Sequence, residues 1–110
     1  MSFDAYMPLD VDEVMFCLKK RWDVTYDLQV VVRQRRLYLQ IMWAYLEQQS
    51  FPLNEEEYKY HLNQVLEIVN RLGQAGVVRE WLNTINQRPR LGKAITFPLS
   101  GGFSLEEFVV

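Results

Sequence analysis

Apolar positions along the chain recur every three to four residues, then every second residue, then every three to four again. Val11, Val14, Met15, Leu18 and Trp22 form one helical stripe, which predicts a helix over about residues 10–22. Asp10 is placed to cap its N-terminus, and Glu13 three residues on stands at the capping-box position. Leu9 and Val14 have the spacing of a hydrophobic staple. Lys19, Lys20 and Arg21 close the helix, where its dipole favours cations.

The period then drops to two. Val24, Tyr26, Leu28, Val30 and Val32 alternate with Thr25, Asp27, Gln29, Val31 and Arg33. A second run sets Leu37, Leu39, Ile41, Trp43 and Tyr45 against Tyr38, Gln40, Met42 and Ala44. Both runs are rich in β-branched and aromatic residues, which favours two strands joined as an antiparallel hairpin. Gln34-Arg35 between them lacks the Gly, Asn or Asp that supplies positive φ in a two-residue turn. A wider turn or a bulge over Arg33–Arg36 is therefore expected, with the second strand open to fraying into helix after Met42.

Pro52 ends the second run, and Asn54 with Glu57 forms a capping box for a second helix. Its stripe is Tyr58, Leu62, Val65, Val69 and Leu72, and Gly73 is a fitting stop. A third helix after Gly76 presents Val77, Val78, Trp81, Leu82 and Ile85 and ends before Pro89. Ala94 to Leu99 alternates as a strand, which Pro98 confines to a sheet edge or ends there. The remainder, 100–110, reads as a flexible or short amphipathic tail, with Ser104 and Glu107 at capping-box spacing. The order α-β-β-α-α-β predicts a single α+β domain, with an ordered core at about 10–99 and helices packed on one face of a small antiparallel sheet.

Composition narrows the possibilities. The 110 residues are 49% hydrophobic, too apolar for intrinsic disorder. The longest apolar run, Ile41 to Leu46, falls far short of the ~20 residues a membrane span needs. A single cysteine, Cys17, excludes an internal disulfide and a cysteine-based zinc site. The opening residues Met1-Ser2-Phe3-Asp4 show neither a basic region before an apolar stretch nor an Arg-rich transit composition. A reduced, cytoplasmic protein is expected.

The inventory for catalysis is thin. Cys17 lies mid-helix beside the apolar stripe and reads as an inert thiol. His61, the lone histidine, reads as structural. Glu55, Glu56 and Glu57 are acids in a first helical turn, where the dipole stabilises them without a metal. Asp27 resembles the first acid of a metal-dependent nuclease, but the next strand offers Gln40 and Met42 where an acid and a lysine are needed. No phosphate-binding glycine loop is present. No enzyme activity, cofactor or metal is expected.

Binding fits better. Net charge is only −2, yet six basic residues fall between Lys19 and Arg36 against two acids. Arg33, Arg35 and Arg36 crowd the hairpin tip, and like charges so close cost stability unless screened or matched by a partner. Arg88, Arg90 and Lys93 crowd a loop around Pro89. Tyr38, Trp43 and Tyr45 lie on the strand between them, Trp43 and Tyr45 being equally readable as core residues. Arginine with aromatics marks protein interfaces and also single-stranded nucleic-acid grooves. The expected site is thus a cationic patch formed by the two arginine-bearing bends, binding a protein or, alternatively, nucleic acid.

Longer motifs carry a resemblance. Trp22-Asp23-Val24-Thr25-Tyr26-Asp27-Leu28-Gln29, Tyr38-Leu39-Gln40-Ile41-Met42-Trp43, Tyr45 to Leu53 followed by Glu55-Glu56-Glu57-Tyr58, and Arg88-Pro89-Arg90-Leu91-Gly92-Lys93-Ala94 resemble domain-of-unknown-function family 3067 of cyanobacteria and plant plastids. The resemblance spans about residues 10–99. Gln34-Arg35 departs from the glycine that relatives usually carry in the hairpin turn. The family has no established activity or catalytic residues to carry over. Its confinement to oxygenic phototrophs implies service to the photosynthetic apparatus, with photosystem II assembly or maintenance the role expected. The resemblance implies a cyanobacterial accessory factor, peripheral to a thylakoid membrane protein complex.

Overall fold

The computed structural model describes residues 7–100. Its elements are α1 (Val11–Trp22), β1 (Tyr26–Arg33), β2 (Arg36–Tyr45), α2 (Glu55–Arg71), α3 (Ala75–Thr84) and β3 (Ile95–Leu99). The three strands form one antiparallel sheet in the order β1-β2-β3, so the fold is α+β as the periodicity predicts. Most of the tail expected at 100–110 lies outside the described residues.

Local chemistry sets the helix ends. The Asp10 carboxylate accepts from the Glu13 amide at 2.8 Å, and Leu9 and Val14 are both buried at this entry. Glu13 does not complete a box; its carboxylate instead pairs with Arg79 of α3 and ties the two helices together. α2 has the full reciprocal box between Asn54 and Glu57, satisfying two backbone donors that would otherwise lack partners. It stops where Gly73 turns left-handed at φ 72°. α3 begins immediately afterwards, at Ala75, so Gly76 sits inside its first turn rather than ahead of it. The Asn70 carboxamide accepts from Leu9 N and donates to Leu9 O, both at 2.9 Å, pinning the segment before α1 to α2.

One sheet face builds the core. Leu28, Leu37, Leu39, Ile41, Ile95 and Leu99 are buried together with Val14 and Leu18 of α1, Tyr58, Leu62, Leu66 and Val69 of α2, and Val78 and Leu82 of α3. The opposite face carries Gln29, Gln40 and Thr96, then Val31, Tyr38 and Pro98, each set in register across the strands. β3 is an edge strand and continues through Pro98 to Leu99.

Two expectations about the hairpin are corrected. The turn is a two-residue turn, with Arg33 paired directly to Arg36. Gln34 and Arg35 take φ 49° and 65°, the doubly left-handed conformation whose twist matches the strands. Burial of Leu28, Leu37 and Leu39 fixes the register, and that register outweighs the local cost of the turn. Nor does β2 become helical after Met42; it runs to Tyr45. The irregularity lies there instead, because Tyr26 to Leu28 spans the same length of ladder as Ile41 to Tyr45. β2 bulges at that point, and Trp43 is left 37% exposed rather than in the core.

α2 lies along β1 and supplies two of its carbonyls with donors. The Tyr58 hydroxyl donates to Tyr26 O at 2.7 Å, and His61 Nε2 lies 2.9 Å from Leu28 O. A carbonyl only accepts, so that ring nitrogen carries the proton.

Candidate functional site

The segment following α3 folds back beside the end of β2. Arg90 and Lys93 exchange backbone hydrogen bonds of 3.0 and 2.8 Å around Leu91-Gly92. Gly92 takes φ 76°, as the third residue of such a turn requires, and Leu91 is pushed out to 79% exposure. This turn has a concavity on either side.

On one side is a cleft of about 960 Å³ between the segment 86–95 and a row of aromatic rings. The rings run Trp22, Tyr26, Tyr45, Trp43, with centroid separations of 5.6, 5.9 and 6.4 Å and near-perpendicular planes. Edge-to-face contacts of this kind hold large rings in fixed orientations. Arg88 lies on the row: its Nε donates to the Tyr26 hydroxyl at 3.1 Å, and its Cζ is 5.9 Å from the Tyr26 ring centroid. On the other side is a shallower groove over the sheet face, with Arg33, Gln40, Met42, Arg90, Lys93 and Thr96 along it. Trp43 and Leu91 border both.

The residues singled out in the sequence divide accordingly. Trp43, Tyr45, Arg88, Arg90 and Lys93 meet at the cleft, and Arg33 joins Arg90 and Lys93 at the groove. Arg35 and Arg36 stay at the hairpin tip, which Leu37↔Leu99 places at the far end of the ladder from Ile41↔Ile95. Arg36 and Ile41 are five residue steps apart on β2, about 17 Å along the strand. Tyr38 is half-buried on the open face between Val31 and Pro98, bordering neither concavity. Sequence reasoning missed Trp22 and Tyr26 as site residues, because their period assigned both to the core.

The remaining reactive groups are occupied structurally. Burial pushes the Cys17 thiol above its usual range, with Arg21 and Lys20 opposing and Glu13 adding to the shift. Its Sγ faces Leu82 O and Asn83 Oδ1, each at 3.6 Å. Among the described residues no group of His, Cys, Asp and Glu has the arrangement of a metal site. No described helix is long and apolar enough to cross a membrane.

Among the described residues, Asp27 is a buried acid with incomplete hydrogen bonding. Its Oδ2 accepts from Gln29 at 3.1 Å, while Oδ1 has no hydrogen bond and lies 3.4 Å from His61 Nε2. Burial raises its pKa above the ordinary carboxylate value, against opposing contributions from Gln29, His61 and the Leu28 backbone. A carboxyl more easily protonated in the folded than in the unfolded chain costs stability once ionised, so its burden is greatest at neutral pH and disappears in acid. Asp27→Asn therefore raises the melting temperature at pH 7, and the gain shrinks as the pH falls towards 4. Paired thermal melts check both the sign and the pH trend.

Comparison with known proteins agrees with this architecture. The solution NMR structure of the Alr2454 protein from Nostoc sp. strain PCC 7120 has a TM-score of 0.80 and 39% identity to this chain, covering 93% of this chain and 98% of that one. No curated protein matches. A family model described as a domain of unknown function, DUF3067, matches residues 12–109, beyond the stretch 10–99 over which the sequence motifs carry the resemblance. With nearly its whole length matched, the chain belongs to the DUF3067 family.

Proposed function

We propose that this protein is a non-catalytic binding protein, an accessory factor that serves the photosynthetic apparatus through protein–protein contacts. Its partner is a complex at the thylakoid surface, with photosystem II assembly or maintenance the specific role. One observation supports docking above all: Arg33, Arg90 and Lys93 border a single groove beside exposed Trp43 and Leu91, and none of the three pairs with a described carboxylate. An exposed Trp and Leu ringed by unmatched cations has the make-up of an interface anchor for an acidic partner surface.

The test is affinity capture from the native host with the chain as bait, read by mass spectrometry. A variant with Arg33→Glu, Arg90→Glu and Lys93→Glu loses the partner while its circular-dichroism spectrum stays unchanged. Capture at the original level by the folded variant overturns the reading. Nucleic acid is the alternative occupant, favoured by the same placing of Trp43 among cations. It requires binding that weakens steeply with salt, and a gel shift without complex at low salt removes it.

A further inference from the structure

We propose that the cleft beside the 86–95 segment is a binding site for a small, planar aromatic molecule carrying an anionic group, a carboxylate or a phosphate. This goes beyond the docking reading: the cleft shares Trp43, Arg90 and Lys93 with the groove over the sheet face, but Arg88, Trp22, Tyr26 and Tyr45 belong to the cleft and not to the groove.

Size and lining point the same way. At about 960 Å³ the cleft lies at the upper end of the range of small-molecule sites. Its lining holds three cations, Arg88, Arg90 and Lys93, and no acid, although the chain as a whole carries more acids than bases. The aromatic row offers an apolar wall against which a flat ring can pack. Asn86 and Gln87 add carboxamides, each able to donate and accept, at the same opening.

Arg88 gives the site its polarity. The Nε bond to the Tyr26 hydroxyl tethers the guanidinium beside the Tyr26 ring. Nη2 makes only a long 3.5 Å contact with Trp22 O, and Arg88 is exposed, so the fork remains open to a ligand. A guanidinium already held in place loses less conformational freedom on taking up an oxyanion, and its fork suits the two oxygens of a carboxylate or phosphate. Arg90 and Lys93, without described carboxylate partners, add attraction at the rim. A ligand with its ring on the aromatic wall and its anion towards Arg88 engages both features at once.

The full chain, isotope-labelled, is titrated with naphthoate, naphthyl phosphate and the neutral isostere naphthalenemethanol, and followed by NMR. The indole N–H of Trp22 and Trp43 and the Arg88 Nε–H report on the cleft. Trp81, stacked on Phe97 at 4.7 Å and outside the cleft lining, is the internal control. At least one anion produces saturable shifts at the cleft reporters while Trp81 stays still, and whichever saturates at the lower concentration identifies the favoured anionic group. The alcohol binds about tenfold more weakly, a difference of about 1.4 kcal/mol. Arg88→Gln weakens the anion by a similar factor, and Arg88→Lys by less. The site is overturned if neither anion saturates, if the alcohol binds equally well, or if Trp81 moves with the cleft reporters. Should Arg88→Gln fail to fold, the comparison of anion with alcohol on the unmutated chain still decides. Because the readout uses purified protein and no partner, its failure is separable from failure of host-extract capture.

Discussion

Tyr58→Ala lowers the unfolding free energy by about 3–5 kcal/mol, the range seen for truncating a buried aromatic. Domains commonly hold only about 5–15 kcal/mol in total, so much of the margin is lost. Among the described residues Tyr58 is the largest side chain with no exposure, and its ring meets Phe51 edge-on at a centroid distance of 6.1 Å. Its hydroxyl also satisfies the carbonyl of Tyr26. Burial, with the nearby charges of Asp27 and Glu47, pushes the phenol far above its usual pKa, so the group remains a donor at any pH the fold survives. Tyr58→Phe separates the two contributions: it keeps the ring, strands one buried carbonyl and costs about 1–3 kcal/mol. Urea unfolding measures both, as a lower midpoint at unchanged slope. Equal losses in the two variants would show that the hydroxyl, not the ring, carries the effect.

The hairpin turn offers a gain. Replacing Gln34-Arg35 with Asn-Gly raises stability by about 1–2 kcal/mol. Two side-chain-bearing residues with φ of 49° and 65° sit where L-residues are sparsely populated, at a cost on the order of 1–3 kcal/mol each. Asn tolerates the first position and Gly the second, although Gly returns part of the gain by enlarging the unfolded ensemble. The substitution also removes one of three clustered arginines, two of which, Arg33 and Arg36, stand directly opposite each other. Denaturation of the double variant against the parent measures the shift. A fall in midpoint would mean that the native Gln34 or Arg35 side chain makes a compensating interaction.

The elements were legible because each is announced by its own neighbours. Asp10, Asn54 and Gly73 mark helix ends through hydrogen bonds or dihedrals that involve residues within a few positions. The turn at Gln34-Arg35 was not, because its geometry is imposed by a register that depends on burial across two strands. The bulge before Tyr45 was missed for the same reason, and with it the outward placing of Trp43. For the site, the basic residues were evident as two clusters, but their grouping was not. Arg33 lines the groove with Arg90 and Lys93, while Arg35 and Arg36, two and three residues further along the chain, do not. The aromatic row is assembled from α1, β1 and β2, which no single periodicity can reveal.

The side chains of Tyr58 and His61 have a consequence for life in a crowded cell. A three-stranded sheet normally offers its outermost backbone as a template on which other chains can crystallise into ribbons. Here two of the first strand's carbonyls are already spoken for, and at the opposite margin a proline interrupts the row of donors. Strand addition at the first strand's margin would first have to peel a seventeen-residue helix away from its hydrogen bonds.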